Sequence, residues 1–166
     1  ASTIIEKIKK GERISIISDA GTPTISDPGL ILIKECIKNK IKIFPIPGVS
    51  AVTTAISSSG FNDQYIFYGF LPKKKTAAEK ELNNIKDYKF SLVFFIPAVK
   101  VNFYINLFKK YMQKRDIFIG RELTKMHETF YRYNLDEFSG FKENLKGELT
   151  VVISGNKQNS SKDITI

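Results

Sequence analysis

Ser18-Asp19-Ala20-Gly21-Thr22-Pro23-Thr24-Ile25-Ser26-Asp27-Pro28-Gly29 is the stretch from which the fold can be read. The apolar run Ile14-Ser15-Ile16-Ile17 precedes it and reads as a buried strand. An amphipathic segment from Leu30 to Lys40 follows and reads as a helix. The stretch is therefore a long strand-to-helix loop, with two glycines and two prolines that set special backbone angles and leave little side-chain bulk. In open α/β sheets, ligands bind at the carboxyl ends of strands, where such loops lie. Asp27 as N-cap and Pro28 at the first helical position would satisfy a plain connection. They leave Asp19, Gly21 and Thr22 unexplained, and those residues favour a ligand-binding loop.

Bulk properties bound the rest. The chain has 166 residues, enough for one domain or two small ones, and 42% of them are hydrophobic. Its single cysteine, Cys36, excludes an internal disulfide, and with one histidine, His127, no spaced metal cluster is expected. No apolar run approaches the roughly twenty residues that span a bilayer, and no signal peptide opens the chain, so a cytoplasmic location is expected. The net charge is +9. That excess favours a polyanionic partner such as nucleic acid, although the lysines are spread along the chain rather than packed in a block.

Working outward, Ser2 to Lys10 has a helical pattern closed by Gly11. Arg13 to Ser18 and Ile41 to Ile46 read as strands that flank the Leu30–Lys40 helix in a parallel unit. Pro47-Gly48-Val49-Ser50 turns into a small-residue helix, Ala51 to Ser59, stopped by Gly60. Tyr65 to Pro72 is an aromatic strand. Lys73-Lys74-Lys75 mark a shift in composition, so domains are expected over 1–70 and 71–155, with a polar tail over 156–166. Thr76 is positioned to cap a helix to about Lys86, with Glu79 at the capping-box position. Strands are expected at Phe90 to Ile96, Asp116 to Gly120, Glu128 to Tyr133 and Glu148 to Ile153. Helix is expected at Val101 to Met112, and in part of Asn134 to Leu145.

Taken together, the Ser18–Gly29 loop and Pro47-Gly48 resemble the tetrapyrrole methylase superfamily. Gly69-Phe70-Leu71-Pro72 with its lysines, Arg121-Glu122-Leu123-Thr124-Lys125 with Glu128-Thr129, and Lys146-Gly147-Glu148 with Gly155 resemble the branch that methylates a cytidine ribose 2′-hydroxyl in small-subunit (16S) rRNA. The resemblance runs from about Gly11 to Gly155. It implies two α/β domains with S-adenosylmethionine in the cleft between them. It also implies a first domain truncated at its N-terminus, because family members begin with a further strand and glycine-containing loop. Asp19, Ala20, Gly21 and Thr22 would line the cofactor, Ser50 and Ala51 would approach it, and Ile96 and Thr150 would close the site. Two local departures stand out. After the strand ending at Phe95 the family carries a Glu-Ser-Pro-His-Arg-like segment, whereas this chain reads Ile96-Pro97-Ala98-Val99-Lys100. Tyr133 stands where members tend to have glycine.

Methyl transfer to a ribose hydroxyl needs the hydroxyl held in line with the sulfonium, and a base or cation to manage its proton. Glu122, Lys125 and Glu128 are the catalytic candidates, with Asp19 a further carboxylate and His127 a tempting base. Arg121-Glu122 could equally be a local ion pair. Lys73, Lys74, Lys75 and Arg121 are candidate RNA-phosphate contacts. Tyr68 and Phe70 are aromatic candidates for base stacking or core packing. The expected partner is small-subunit rRNA, with no membrane and no metal. A homodimer is in keeping with the family. Two rival functions share these features: a tetrapyrrole methyltransferase and a non-catalytic RNA-binding module.

Overall fold

The computed structural model describes residues 1–19 and 21–157. Contacts divide the chain into two units, Ala1–Ser50 and Ala51–Ile166. Among the described residues the first unit holds two helices, α1 (Ser2–Lys9) and α2 (Leu30–Lys38). They pack together, with Ile5 and Cys36 buried. Gly11, at φ 94°, follows α1 as expected.

The strands expected at Arg13–Ser18 and Ile41–Ile46 do not form among the described residues, and with them goes the parallel unit. Neither run joins a ladder. Ile17 is 88% exposed and Ile46 is 84% exposed. Apolar patterning specifies a strand only where another strand supplies its hydrogen bonds. The cap of α2 also differs from expectation. Gly29, at φ 126°, is the N-cap, with no side-chain cap bond, so Asp27 and Pro28 lie in the turn before it.

The second unit is built on one mixed sheet. Its elements are α3 (Ala51–Ser59), β1 (Tyr65–Phe70), α4 (Lys75–Ile85), β2 (Ser91–Pro97), a 3-10 turn (Ala98–Lys100), α5 (Val101–Tyr111), β3 (Asp116–Arg121), β4 (Thr129–Asn134) and β5 (Glu148–Ile153). The strand order is β1-β2-β5-β3-β4. Only β1 and β2 are parallel. The composition shift at Phe70–Lys75 therefore falls inside this unit, between two strands that pair with each other.

Strand alternation sends two side-chain sets to opposite faces. Leu92, Phe94, Ile96, Ile117, Ile119, Leu149, Val151 and Ile153 form the main core under α4 and α5, with Leu82, Ile105 and Phe108. Val93, Phe118 and Val152 form a smaller core with Val52 and Ala55 of α3. The small residues of α3 thus serve close packing on the sheet. Helix α4 starts at Lys75 with Lys74 as N-cap and no side-chain cap bond. Glu79 accepts from Lys110 Nζ at 3.0 Å, so the expected Thr76–Glu79 capping box is replaced by an ion pair between α4 and α5.

Residues 135–145 contain no helix. The Asn102 amide holds this segment instead, donating to the Phe141 carbonyl and accepting its N–H at 2.8 and 2.9 Å. Tyr133 stacks on Phe138 with ring centroids 3.9 Å apart. Buried Arg115 donates to the carbonyls of Lys86, Tyr88 and Ser154, joining the end of α4 to the end of β5. Its burial lowers the pKa of the guanidinium.

Gly155 lies in the same corner, and a Cβ there would strike the Lys89 carbonyl. Gly155→Ala is expected to destabilise the protein by about 2–3 kcal/mol, because backbone must move. Gly48→Ala, where a Cβ meets nothing within 4 Å, is expected to change stability by less than about 0.5 kcal/mol. Urea unfolding of the two variants checks the contrast.

Candidate functional site

The first unit contributes loop 18–29. Gly21, Thr24, Ser26 and Gly29 all have positive φ, at 72°, 72°, 59° and 126°. A β-branched threonine in that region is a true outlier. A Cβ on Gly29 would lie a tight 3.1 Å from Thr24 Cγ2, and the φ of 126° there is one that side chains rarely adopt, so the turn favours glycine. Ser18 Oγ donates to the Gly21 carbonyl at 3.3 Å, and Thr22 Oγ1 donates to the Val49 carbonyl at 3.5 Å. The second bond joins the two loops that the sequence singled out. Asp19, Gly21 and Thr22 are exposed and Ser50 is half-buried. Ala20 lies outside the described residues.

Within the second unit, strand register orders the α3 face into rows. Phe67, Val93, Val152, Phe118 and Arg132 form one row beneath α3. Phe70, Phe95, Thr150, Gly120 and Phe130 form the next. Thr150 is thus in the α3-facing set, whereas the side chain of Ile96 is buried in the α4/α5 core. Ala51, half-buried, packs against the α3-side core. Phe70 is 56% exposed and meets Phe95 edge-on at 5.5 Å. The hydroxyl of Tyr68, at a register shift in β1, donates to Glu81 at 2.8 Å. Burial, then that carboxylate, push its pKa up to about 12, so Tyr68 belongs to the fold rather than to a base-stacking surface. Arg132 lies over the Phe118 ring at 5.0 Å and donates to the Ser58 carbonyl in the last turn of α3. A cation at a helix C-terminus opposes the helix dipole favourably.

Loop Arg121–Glu128 is pinned to the start of β5. The Glu122 N–H donates to the Glu148 carbonyl at 3.0 Å, and the Glu148 N–H donates back to Glu122 Oε1 at 2.7 Å. Lys125 Nζ donates to Glu148 Oε2 at 2.7 Å and to Glu122 Oε1 at 3.5 Å. Arg121 Nε donates to the Lys146 carbonyl, and the Thr124 N–H donates to Glu128 Oε2. Leu123 folds into the α3-side core over Gly120, where a Cβ would sit 2.6 Å from its Cδ2. Gly147, at φ 94°, leaves room for the Glu122 carboxylate. The structure therefore joins Arg121, Glu122, Lys125 and Glu128 to Lys146-Gly147-Glu148 in one cluster. The sequence showed both motifs without pairing them.

This cluster has its own electrostatics. The Glu148 amide, then the Lys125 and Arg121 charges, hold the Glu122 carboxyl below the usual range against some desolvation. Glu148, then Glu122, raise the Lys125 pKa. A carboxylate so held is a weak base, and a lysine so held stays cationic. The Lys125–Glu148 pair is largely exposed, so it contributes little alone. The backbone bonds and the Leu123 plug do most of the bracing. Lys73, Lys74 and Lys75 are exposed at the start of α4. His127 is exposed at the loop apex.

Comparison with known proteins places the chain in a family. Residues 1–139 match the model of the Tetrapyrrole (Corrin/Porphyrin) Methylases. A Thermotoga maritima protein named ribosomal RNA small subunit methyltransferase I is 38% identical over 155 residues, covering 92% of this chain and 69% of its own. The chain belongs to the tetrapyrrole methylase family, in its ribosomal RNA small subunit methyltransferase I branch. A Rickettsia prowazekii protein of the same name is 39% identical over 98% of this chain and 59% of its own length. A Bacillus subtilis one is 35% identical over 92% and 53%. The chain thus spans roughly half to two-thirds of the length of these relatives. Two solved structures share the fold. The methyltransferase CobJ aligns with TM-score 0.70 at 17% identity, over 93% of this chain and 70% of its own. A uroporphyrin-III C-methyl transferase from Thermus thermophilus, complexed with S-adenosyl homocysteine, aligns with TM-score 0.61 at 9% identity, over 92% and 70%.

Pro97 ends β2, residues 98–100 form a 3-10 turn, Ala98 is buried, and Val99 is 80% exposed. Lys100 keeps a positive charge at an exposed position. Among the described residues no group of His, Cys, Asp and Glu is placed to hold a metal, and no helix is long and apolar enough to cross a membrane.

The Glu122 brace has a pH signature. Because its folded-state pKa lies below the unfolded one, its contribution is complete above about 4.5 and is lost as pH falls through the depressed folded value. Lys125 behaves oppositely: its contribution is complete below about 10.5 and is lost as pH rises through the raised folded value. Glu122→Gln is expected to cost about 1 kcal/mol at pH 7, with the gap to wild type shrinking as pH falls below that window. Urea titrations at a series of pH values measure this.

Proposed function

We propose that the chain is part of an S-adenosylmethionine-dependent methyltransferase that modifies a cytidine ribose 2′-hydroxyl of small-subunit rRNA. The observation that carries this reading is the 35–39% identity, over nearly the whole chain, to proteins named for that rRNA activity. The net charge of +9 is consistent with an RNA substrate. A cytoplasmic location and a homodimeric state go with the same reading.

In this reading Asp19, Gly21, Thr22, Ser50 and Ala51 hold the cofactor, with Ala20 among them in sequence, Thr150 adding its side chain from β5, and Ile96, whose side chain faces the α4/α5 core, adding only backbone from β2. The residues suit the group. Asp19 offers an exposed carboxylate for hydroxyl or ammonium donors, and a Cβ at Gly21 or Gly48 would meet nothing within 4 Å, leaving the backbone approachable. The cofactor supplies a methyl group already activated as a sulfonium. The chain's own task is to align the hydroxyl and manage its proton. Lys125, kept cationic, suits stabilising a developing oxyanion. Glu122, kept ionised, fixes Lys125. Glu128 is the remaining carboxylate of the loop and also holds the Thr124 N–H.

Lys73, Lys74, Lys75 and Arg121 contact RNA phosphates in this reading. The three lysines open α4, where positive charge opposes the helix dipole. Helix stability therefore does not explain them, and a polyanionic partner does.

Two measurements test the proposal. Transfer of labelled methyl from S-adenosylmethionine to unmethylated small-subunit rRNA is expected, and transfer to a tetrapyrrole is not. Asp19→Asn is expected to weaken S-adenosylhomocysteine binding roughly tenfold by calorimetry. Label on a tetrapyrrole, or RNA binding with no cofactor binding by the complete protein, would favour one of the two rival functions. Replacing all three lysines by alanine is expected to flatten the salt dependence of RNA affinity by up to about 3 in log–log slope.

A further inference from the structure

Loop 122–128 is more than a connection. Strands β3 and β4 pair up to Arg121 and Thr129, and roughly two to five residues suffice to turn an antiparallel hairpin. This loop is longer, and it is strained. Glu122 and Thr124 sit at φ 49° and 65°, a region that side chains avoid and a β-branched residue avoids most. Such strain persists only where the surroundings enforce it, and it gathers at sites with a task. Here the enforcement comes from the Glu122–Glu148 bond exchange, the Lys125 bridges and the Leu123 plug.

What the brace presents is its apex. Met126 is 93% exposed, the most exposed of the large hydrophobic residues described, and His127 beside it is exposed too. A single exposed apolar side chain is ordinary on a protein surface; what marks Met126 is its place at the tip of a loop whose strained backbone is held by named bonds. The charges around it cancel: Arg121, Lys125 and Lys146 stand against Glu122, Glu128 and Glu148. Met126 and His127 add no lysine or arginine of their own, so phosphate contact from this loop falls to Arg121 at its base. A polarisable thioether beside an imidazole suits the flat face of an unpaired base.

We infer that Met126 and His127 form a stacking wedge for an unpaired base of the RNA substrate, held in position by the Glu122–Glu148 brace. This rests on the rRNA reading above. An RNA occupant is chosen over a protein one because the chain carries +9 overall and its relatives are named for rRNA. In this division of labour, lysines elsewhere attract the backbone and the neutral apex selects a base.

The test measures binding of in vitro transcribed, unmethylated small-subunit rRNA to wild type, Met126→Ala/His127→Ala and Met126→Phe. Both sites are exposed, and unchanged melting temperatures confirm folding. The double variant is expected to bind RNA roughly tenfold more weakly, with the salt slope unchanged. Met126→Phe, which keeps an apolar face, is expected to stay within about twofold of wild type. S-adenosylhomocysteine affinity should be the same in all three. A double variant that binds like wild type overturns the wedge while leaving the rRNA reading intact. So does a reduced salt slope, which would mean phosphate contact, or a change confined to self-association in sedimentation. Failure of wild type to bind or methylate RNA removes both.

Discussion

Strand β5 is the last strand among the described residues and the middle strand of the sheet. Strands β2 and β3 do not pair with each other; each pairs with β5. The β1-β2 pair and the β3-β4 hairpin become one sheet only when residues 148–153 slot between them. Nearly every side chain of β5 is buried as a result. Both cores need it: Leu149, Val151 and Ile153 face α4 and α5, and Val152 faces α3.

The two ends of β5 also anchor what surrounds the sheet. At its start, Glu148 exchanges backbone and side-chain bonds with Glu122, so the loop after β3 is set by the same pairing that closes the sheet. At its end, Ser154 accepts from Arg115 and from the Asp116 N–H, and Gly155 lies against Lys89. The signature Lys-Gly-Glu followed by a later glycine therefore has a structural content at each position. Gly147 clears space for the Glu122 carboxylate, Glu148 completes the brace, and Gly155 permits a backbone contact.

Several elements were legible in the sequence because their signals are local. The helical periodicity of α4 and α5 and the apolar runs of β2, β3 and β5 set element type and approximate bounds. Gly60 and Gly11 marked helix ends. The motif loops were legible as motifs, and the family followed from them. Less legible were features that depend on partners. Runs 13–18 and 41–46 have strand-like patterns, yet among the described residues they join no ladder. Glu79 has a capping-box spacing, yet a lysine from the next helix captures it. Residues 134–145 have mixed helical composition, yet the Asn102 amide and a cluster of aromatic rings fold them into turns. Glu122 is a catalytic candidate in the sequence, and in the structure its carboxylate accepts the Glu148 N–H and pairs with Lys125.

By itself the sequence determined the helices α1 to α5, the strand-forming segments of the second unit, and the family to which the chain belongs. Those properties reside in spacing and in short motifs, which act over a few residues. Tertiary structure alone decided the order of the strands, which face each side chain takes, and which charges meet. Register is the reason. Once β5 pairs with β2 and β3, Thr150 must share a face with Phe95 and Gly120 while Ile96 turns away, and Glu148 must stand beside Glu122. No local pattern encodes that pairing, because its members lie up to several dozen residues apart and meet only when the sheet closes.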